Sequence, residues 1–153
     1  IEEISKYTTV HDGYKDKFNK GFIIMGGVGV GKTKISKAFT DILFEYFKIK
    51  IWLEPSYKYV EDFTRDQYGG LATKLRRMNL IDDLGSENLY NNYVVKKNVL
   101  IEFIYRSYDS NKKCFATTNL NPESLKKFYG ERGYSRMVEM FNFFTLKGTD
   151  KRN

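Results

Sequence analysis

The sequence is poor in cysteine and proline, and it lacks long apolar runs. One cysteine among 153 residues excludes both an internal disulfide and a cysteine-based metal site. That residue, Cys114, stands in an apolar run with Phe115 and Ala116, so we expect it to be a small buried core residue. No stretch reaches the roughly 18 consecutive apolar residues that a membrane span needs, and no signal-peptide pattern opens the chain. These absences predict a soluble, cytoplasmic protein with no membrane partner.

Prolines occur only at Pro55 and Pro122, where elements of structure should begin or end. The chain has no Pro-, Gly- or Ser-rich linker and no internal repeat. A composition that is 41% hydrophobic and 16% aromatic provides the material for one buried core in a chain of this length. We therefore expect a single domain over residues 1–153.

The formal net charge of +7 is unevenly distributed. Residues 1–95 carry 14 Lys/Arg against 13 Asp/Glu, whereas residues 96–153 carry 12 against 6. A basic field suits an anionic polymer such as DNA, although a solvated lysine-rich surface has the same signature. Contact between DNA and the C-terminal part is a hypothesis that charge alone leaves open.

Short apolar runs alternate with helical patterns along the chain. Runs typical of buried strands occur at 22–25, 51–53, 80–81, 114–118 and 143–146. Periodicity predicts helices at 33–47, 93–108 and 134–140, and Asn121 before Pro122 is a typical helix start. The alternation predicts an α/β fold, a five-stranded parallel sheet with helices on both faces and ligands at the carboxyl ends of the strands.

A glycine-rich segment follows the first predicted strand and matches G-x-x-x-x-G-K-[ST]. It consists of Gly26, Gly27, Val28, Gly29, Val30, Gly31, Lys32 and Thr33. Because glycines lack Cβ atoms, successive N–H groups can point at a phosphate, and the following helix adds its N-terminal partial charge. We expect this segment and Lys34 to contact the nucleotide, with Lys32 on the β- and γ-phosphates and Thr33 on Mg²⁺. The segment alone does not distinguish an ATPase from a GTPase or a nucleoside kinase.

Two aspartates, Asp82 and Asp83, follow the apolar run at 80–81. We expect Asp82 to hold the Mg²⁺ and its water shell. We expect Asp83 to polarise the attacking water, since hydrolysis needs a carboxylate beside the γ-phosphate. Paired aspartates at a strand end are also good turn formers.

Asn119 follows the strand predicted at 114–118, where a polar side chain would lie between the glycine segment and the acidic pair. It can hydrogen-bond both water and the γ-phosphate, although Asn before Leu-Asn-Pro is also ordinary strand-exit chemistry. Arg132 and Arg136 are candidates for an arginine that acts on a neighbouring subunit, as phosphoryl transfer often requires. A surface arginine is the simpler alternative for each.

In this order and spacing the motifs resemble the AAA+ ATPases of the DnaC/DnaI helicase loaders and the related IstB transposition helpers. The resemblance covers residues 20–152, and its most specific string is Ile-Asp-Asp-Leu-Gly at 81–85. Three further strings carry it: Thr-Asn-Leu at 118–120, Tyr-Gly-Glu-Arg at 129–132 and Ser-Arg-Met at 135–137. It implies a P-loop NTPase of AAA+ type, a three-layer sandwich without a C-terminal lid domain, with ATP and Mg²⁺ as cofactors.

By position, the resemblance implies that Asn119 is sensor 1, that Arg136 is the arginine finger and that Arg152 is a sensor 2 contact to the nucleotide. It also implies a helical insertion at 88–99 that faces single-stranded DNA inside an ATP-dependent spiral of subunits. The helicase-binding N-terminal domain of the loaders is absent and the sequence starts at Ile1, so we expect a fragment of a longer chain.

Two residues depart from the family pattern. Asn79 stands where an aliphatic residue is usual, which predicts a shorter or shifted strand before the acidic pair. Asp83 stands where many ATPases have glutamate, which is one methylene longer, and this predicts slower hydrolysis.

The resemblance implies an ATP-hydrolysing domain that loads a replicative helicase onto single-stranded DNA. A transposition helper has the same ATPase core, and the sequence does not separate the two. A small nucleoside kinase shares the glycine segment, but the acidic pair and Asn119 suit the activation of water rather than transfer to an acceptor. A module that binds ATP and DNA without hydrolysis also stays open because of Asp83.

Overall fold

The computed structural model of the chain describes residues 20–66, 69–87, 90–92 and 95–150. Its strands are β1 (Gly21–Met25), β2 (Ile51–Pro55), β3 (Met78–Asp82), β4 (Tyr90–Asn92), β5 (Val95–Lys97), β6 (Cys114–Thr118) and β7 (Phe141–Thr145). Its helices are α1 (Lys32–Phe47), α2 (Ser56–Arg65), α3 (Gly69–Leu75), α4 (Val99–Asp109) and α5 (Pro122–Met140).

Five of the strands form one parallel sheet in the order β2-β3-β6-β1-β7. The prediction of a five-stranded parallel sheet is therefore confirmed. β6 lies between β1 and β3, so the chain segments that leave these three strands emerge side by side at the carboxyl edge of the sheet. Those segments are the glycine loop after β1, the acidic pair at the end of β3 and Asn119 after β6.

Helices cover both faces of the sheet and give it three layers. Successive side chains along a strand point to opposite faces of the sheet. The apolar residues of the strands therefore belong to two clusters, one on each face. The larger cluster contains Ile23, Ile81 and Ala116 and packs under α2, α4 and α5. The smaller contains Leu80 and Phe115 and packs under α1. None of the helices in the described part of the chain has the length and apolar character that a bilayer crossing requires.

Two predictions about buried residues were tested by these strands. Cys114 is buried in the larger cluster as predicted, and burial raises the pKa of its thiol to about 12. Asn79 does not shorten or shift β3, so that prediction is wrong. Its side chain is buried, and its amide donates to the carbonyl oxygens of Lys74 at 2.7 Å and Arg77 at 2.9 Å. The polar atoms are satisfied by the chain that enters the strand, which removes the cost of burying them.

The apolar residues of α1 do not form one core-facing stripe, although their helical spacing predicts one. The spacing joins Ile35, Ala38, Phe39, Ile42, Leu43 and Tyr46. Only Phe39 and Leu43 pack into the smaller cluster, whereas Ile42 and Tyr46 are 52% and 71% exposed. The fully buried face of α1 is formed by polar residues instead, and it consists of Lys32, Ser36 and Thr40. The helix is oriented by its attachment to the glycine loop rather than by its most apolar side.

The predictions of a helix at 93–108 and of a helical insertion at 88–99 are wrong for the described residues before Val99. β4 and β5 pair as an antiparallel two-stranded unit, with Tyr90 opposite Lys97. The following helix begins only at Val99, because the Asn98 side chain caps it by accepting from the N–H of Ile101 at 3.1 Å. The Asn-Asn pair of β4 is also a weak helix former.

The helix start predicted at Asn121 and the helix predicted at 134–140 belong to one kinked helix. A start at Asn121 is confirmed, since its side chain accepts from the N–H of Ser124 at 2.8 Å. The helix then runs to Met140 with one break at Gly130, whose φ of 77° and ψ of 166° lie outside the helical region. α5 therefore has two halves joined by a kink, and β7 starts directly after the second half.

A buried lysine joins the edge strand β2 to α2 and α3. Lys74 is 2% exposed, forms ion pairs with Glu54 and, at 2.9 Å, with Asp62, and lies 4.3 Å above the ring centre of Tyr59. Arg77 contacts Glu54 as well, at 2.7 Å. Removal of one partner from a buried ion pair leaves a buried charge uncompensated, which is costly.

We predict that Lys74→Ala lowers the free energy of unfolding by about 3 kcal/mol, because it leaves Glu54 and Asp62 without their central cation. Lys58→Ala is the matched control, since Lys58 pairs with Asp62 from an exposed position and its loss should change stability little. Urea unfolding followed by circular dichroism measures both variants. Equal effects of the two substitutions would contradict the role of Lys74.

Candidate nucleotide-binding site

The glycine loop at 26–31 connects β1 to α1 in a conformation that needs glycine at two positions. Gly29 has a φ of 77° and Gly31 a φ of 101°, both in the left-handed region that side chains disfavour. The loop is tied to the end of β6, because the N–H of Gly26 donates to Thr118 O at 3.2 Å. Among the described residues, no heavy atom lies within 4 Å of the place where a Cβ on Gly31 would be. The loop therefore borders open space at the start of α1.

The N-terminus of α1 has the properties of an anion site. Gly31 is the N-cap residue, so no side chain caps the helix, and the first turn contains no acidic residue. The first N–H groups of a helix have no partner within the helix and carry the positive end of its dipole. A phosphate above Gly31 would accept from these groups, as in other glycine loops before helices.

Lys32 directs its ammonium group back over the loop. Its side chain is buried, and Nζ donates to the carbonyl oxygens of Gly26 at 2.8 Å and Gly27 at 2.7 Å. It also donates to Oδ1 of Asn119 at 2.6 Å, across 87 positions of sequence. The ammonium group thus lies inside the loop at the carboxyl edge of the sheet, where a phosphate would meet it.

Asp82 and Thr33 place two oxygen ligands next to each other. The Thr33 hydroxyl donates to the Asp82 carboxylate, with oxygen separations of 2.9 and 3.2 Å. The Thr117 hydroxyl donates to the same carboxylate at 2.5 Å and holds it in place. Hydroxyl and carboxylate oxygens are the ligands that Mg²⁺ prefers.

Asp83 begins a tight turn and adopts a conformation that few residues other than glycine take. Its φ is 54°, and such a left-handed residue persists only when its surroundings hold it. The N–H of Asp83 donates to the Thr117 hydroxyl at 3.0 Å, and its carbonyl accepts from the hydroxyls of Ser56 at 2.9 Å and Ser86 at 2.7 Å. These bonds fix the backbone of Asp83 and so aim its carboxylate.

Asn119 bridges the loop and the acidic pair. Its amide nitrogen donates to Oδ1 of Asp83 at 3.2 Å, while its amide oxygen accepts from Lys32. Three residues that were singled out by sequence on three different strands or their exits thus form one hydrogen-bonded chain, Lys32–Asn119–Asp83. A carboxylate, an amide and an ammonium group in this order can bind water and phosphate side by side.

The two candidate arginines lie elsewhere. Both are on the second half of α5, beyond the kink at Gly130, and Arg136 lies near the end of this helix, where β7 begins at the amino ends of the strands. The guanidinium group of Arg136 lies 4.0 Å from the ring centre of Tyr108 and 3.4 Å from Glu139, and its side chain is 32% exposed. Arg132 lies 5.4 Å from the ring centre of Tyr105. Neither arginine belongs to the site of its own chain.

The remaining predicted contacts are at the margin of the site or beyond the described residues. Val28 and Lys34 are exposed, whereas Val30 is buried under the loop. Arg152 lies outside the residues that the structure describes. Asp150 comes close to the loop, since a Cβ on Gly29 would overlap its carboxylate.

No protein-family model matches the sequence, and no curated protein matches it. Solved structures do match. The crystal structure of a DnaC helicase loader has a TM-score of 0.71 at 22% identity, covering 94% of this chain and 85% of that chain. A crystal structure of DnaI has a TM-score of 0.68 at 19% identity, covering 94% and 80%. A replication initiator DnaA, bound to AMPPCP and single-stranded DNA, has a TM-score of 0.62 at 15% identity, covering 86% of this chain but 41% of its own.

The chain has the AAA+ fold. At these identities the likeness establishes the architecture, with the five-stranded parallel sheet and helices on both faces. In this chain the glycine loop, the acidic pair and Asn119 occupy adjacent strand exits.

Sequence reasoning assigned no separate role to several residues that hold this site together. Thr117 and Thr118 are fully buried at the end of β6, and Thr118 donates from its hydroxyl to Leu84 O at 2.6 Å. Two hydroxyl residues at the end of an otherwise apolar strand are the feature of the sequence that could have indicated this role. Ser56 left no signal, because its bond to the Asp83 carbonyl depends on how α2 packs beside β3.

Proposed function

We propose that this chain is an ATP-binding and ATP-hydrolysing domain of the DNA replication apparatus, which acts in loading a replicative helicase onto single-stranded DNA. The observation that carries the proposal is the hydrogen-bonded chain Lys32–Asn119–Asp83 beside the Thr33–Asp82 pair. It provides a phosphate-binding cation, a pair of oxygen ligands and a carboxylate for water within one group of contacts.

ATP and Mg²⁺ fit the residues that are present. The uncapped start of α1 and the open space above Gly31 provide N–H donors and room for phosphate oxygens. Lys32 would bind the β- and γ-phosphates, and Thr33 with Asp82 would hold the Mg²⁺. An Mg²⁺ ion at such a site takes only one or two protein ligands and completes its octahedron with phosphate oxygens and water. When bound, it neutralises charge that develops on the phosphates.

We assign the activation of the attacking water to the Asp83 carboxylate. Its carboxylate is held next to the Asn119 amide, and the amide contacts Lys32, which would hold the γ-phosphate. A water between Asp83 and the γ-phosphate would donate a proton towards the carboxylate and be aligned for attack. Asn119 would contact both the water and the phosphate. The fixed backbone of Asp83 supports this assignment, since it limits the carboxylate to one region of the site.

The arginine that stabilises the transition state is assigned to a neighbouring copy of the chain. Arg136 is partly exposed and lies near the amino ends of the strands, whereas the glycine loop lies at their carboxyl ends. It therefore does not reach the nucleotide of its own chain. Head-to-tail contact between copies would bring the surface that carries Arg136 in one chain to the glycine loop of the next. Repetition of this contact generates a ring or a spiral. ATP between two copies would then govern assembly.

Single-stranded DNA and a helicase are the proposed partners. The solved DnaA with the same fold is bound to single-stranded DNA, and DnaC is described as a helicase loader. The basic excess of this chain begins at Lys96, in the β4–β5 unit that follows the acidic pair. We assign the DNA contact to this unit.

Replacing Asp83 with asparagine should stop turnover while ATP still binds. Asparagine tolerates the left-handed backbone but cannot accept a proton. We expect phosphate release to fall about 100-fold or more, with the affinity for a fluorescent ATP analogue nearly unchanged. Lys32→Ala serves as the contrasting variant, since it should abolish binding. Undiminished hydrolysis in Asp83→Asn would remove the residue from this role, and normal affinity in Lys32→Ala would refute the phosphate assignment.

Mixing two inactive variants tests whether Arg136 acts on the neighbouring chain. Arg136→Ala keeps its own Asp83, whereas Asp83→Asn keeps its arginine. In an equimolar mixture about a quarter of the sites combine an intact Asp83 with an intact partner arginine, so turnover should return to roughly that fraction of wild type. The same mixture with Arg132→Ala shows which arginine is needed. A mixture that stays inactive would argue against a shared site.

Neutralising Lys96 and Lys97 together should weaken binding to single-stranded DNA. Loss of two phosphate contacts should lower the slope of log affinity against log salt by about 1.4. Fluorescence anisotropy with a labelled oligonucleotide at several salt concentrations measures this slope. Lys126→Ala with Lys127→Ala is the matched control, because it removes another adjacent lysine pair from α5. Equal losses from both pairs would assign the binding to net charge rather than to the β4–β5 unit.

A further inference from the structure

The turn at 83–87, which begins with the second aspartate of the acidic pair, is held by hydrogen bonds at both ends. Its first residue, Asp83, is held by Ser56 and Thr117, as described above. Its last residue is Glu87, whose side chain is only 4% exposed. One carboxylate oxygen of Glu87 accepts from the N–H of Gly85 at 2.7 Å, and the other accepts from the hydroxyl of Tyr129. A buried carboxylate therefore fastens the turn that begins with Asp83.

Gly85 makes the conformation of the turn depend on its hydrogen bond to Glu87. It has a φ of 92°, and a Cβ on it would lie 2.4 Å from the Leu120 side chain if no atom moved, a contact too close to exist. Its N–H is the only backbone donor to which Glu87 is bonded in the described contacts of the turn. Without that bond, the glycine has wide conformational freedom. Glu87 thus restricts the one glycine of the turn that begins with Asp83.

Tyr129 connects the same carboxylate to α5. It is buried and directly precedes Gly130, where the helix is kinked. Burial, together with the neighbouring charge of Glu87, raises the pKa of Tyr129 well above its usual value, so the hydroxyl stays protonated and remains a donor. The second half of α5, beyond the kink, carries Arg132 and Arg136.

We propose that Glu87 and Tyr129 are positioning residues for ATP hydrolysis, which hold the Asp83 turn and couple its geometry to the kink of α5. The inference rests on the proposed hydrolysis at Asp83. Neither residue touches the nucleotide. When a neighbouring copy engages the second half of α5, a shift at the kink moves the Tyr129 hydroxyl, and the Glu87 carboxylate transmits this shift to Gly85 and the turn.

Removal of the Tyr129 hydroxyl tests the coupling. Tyr129→Phe keeps the ring in the core but leaves one oxygen of Glu87 without its donor. We expect kcat to fall about tenfold while KM and the affinity for a fluorescent ATP analogue stay within about twofold. Amide hydrogen exchange at residues 83–87 should become at least several-fold faster. Tyr134→Phe, on the same helix and packed against Phe143, is the matched control and should leave all of these unchanged.

A double-mutant cycle with Glu87→Gln separates positioning from general stability. If both residues act through one contact, Tyr129→Phe with Glu87→Gln should lose little more kcat than the more severe single variant. Independent, multiplicative losses would overturn the coupling, as would a Tyr129→Phe variant that matches Tyr134→Phe in kcat and exchange. A wild-type chain that does not hydrolyse ATP would refute the proposed function and this inference together. Active wild type with an unaffected Tyr129→Phe refutes the inference alone.

Discussion

The hydrogen bonds that hold β6 between β1 and β3 are the constraint on which the candidate site depends. Ala116 pairs with Ile23 on one side and with Ile81 on the other, and all three are fully buried. This register sets Thr117 beside the acidic pair and brings Asn119 to the glycine loop. A slip by one residue would turn every side chain of β6 to the opposite face. The arrangement of the candidate site is thus a property of the sheet as well as of the loop.

The site contains several groups that are costly to bury, and each has a partner from another element. Lys32 is bonded to loop carbonyls and to Asn119, and the left-handed Asp83 is bonded through its backbone to Ser56 and Thr117. Under the proposed function a γ-phosphate competes with Asn119 for Lys32. The bond between Asn119 and Asp83 then links occupancy of the phosphate site to the orientation of the hydrolytic carboxylate.

Local patterns predicted the elements well where packing and pattern agree. Continuous apolar runs predicted the strands because a parallel sheet covered on both faces needs apolar residues at every position. The pattern failed on α1, where Ile42 is exposed and Ser36 is buried, because the loop dictates which side of the helix meets the sheet. It failed also before Val99. Periodicity extends this helix back to residue 93, whereas the Asn98 cap makes the helix begin at Val99.

The sequence by itself determined the kind of ligand that the glycine loop suits, because left-handed glycines, a lysine and a helix start are local properties. It also determined that acids and an asparagine follow buried strands. Only the tertiary structure decided which of these groups meet. Lys32 and Asn119 are 87 positions apart, and Glu87 and Tyr129 are 42 apart. Their contacts depend on strand order and on the kink in α5, which no local periodicity encodes.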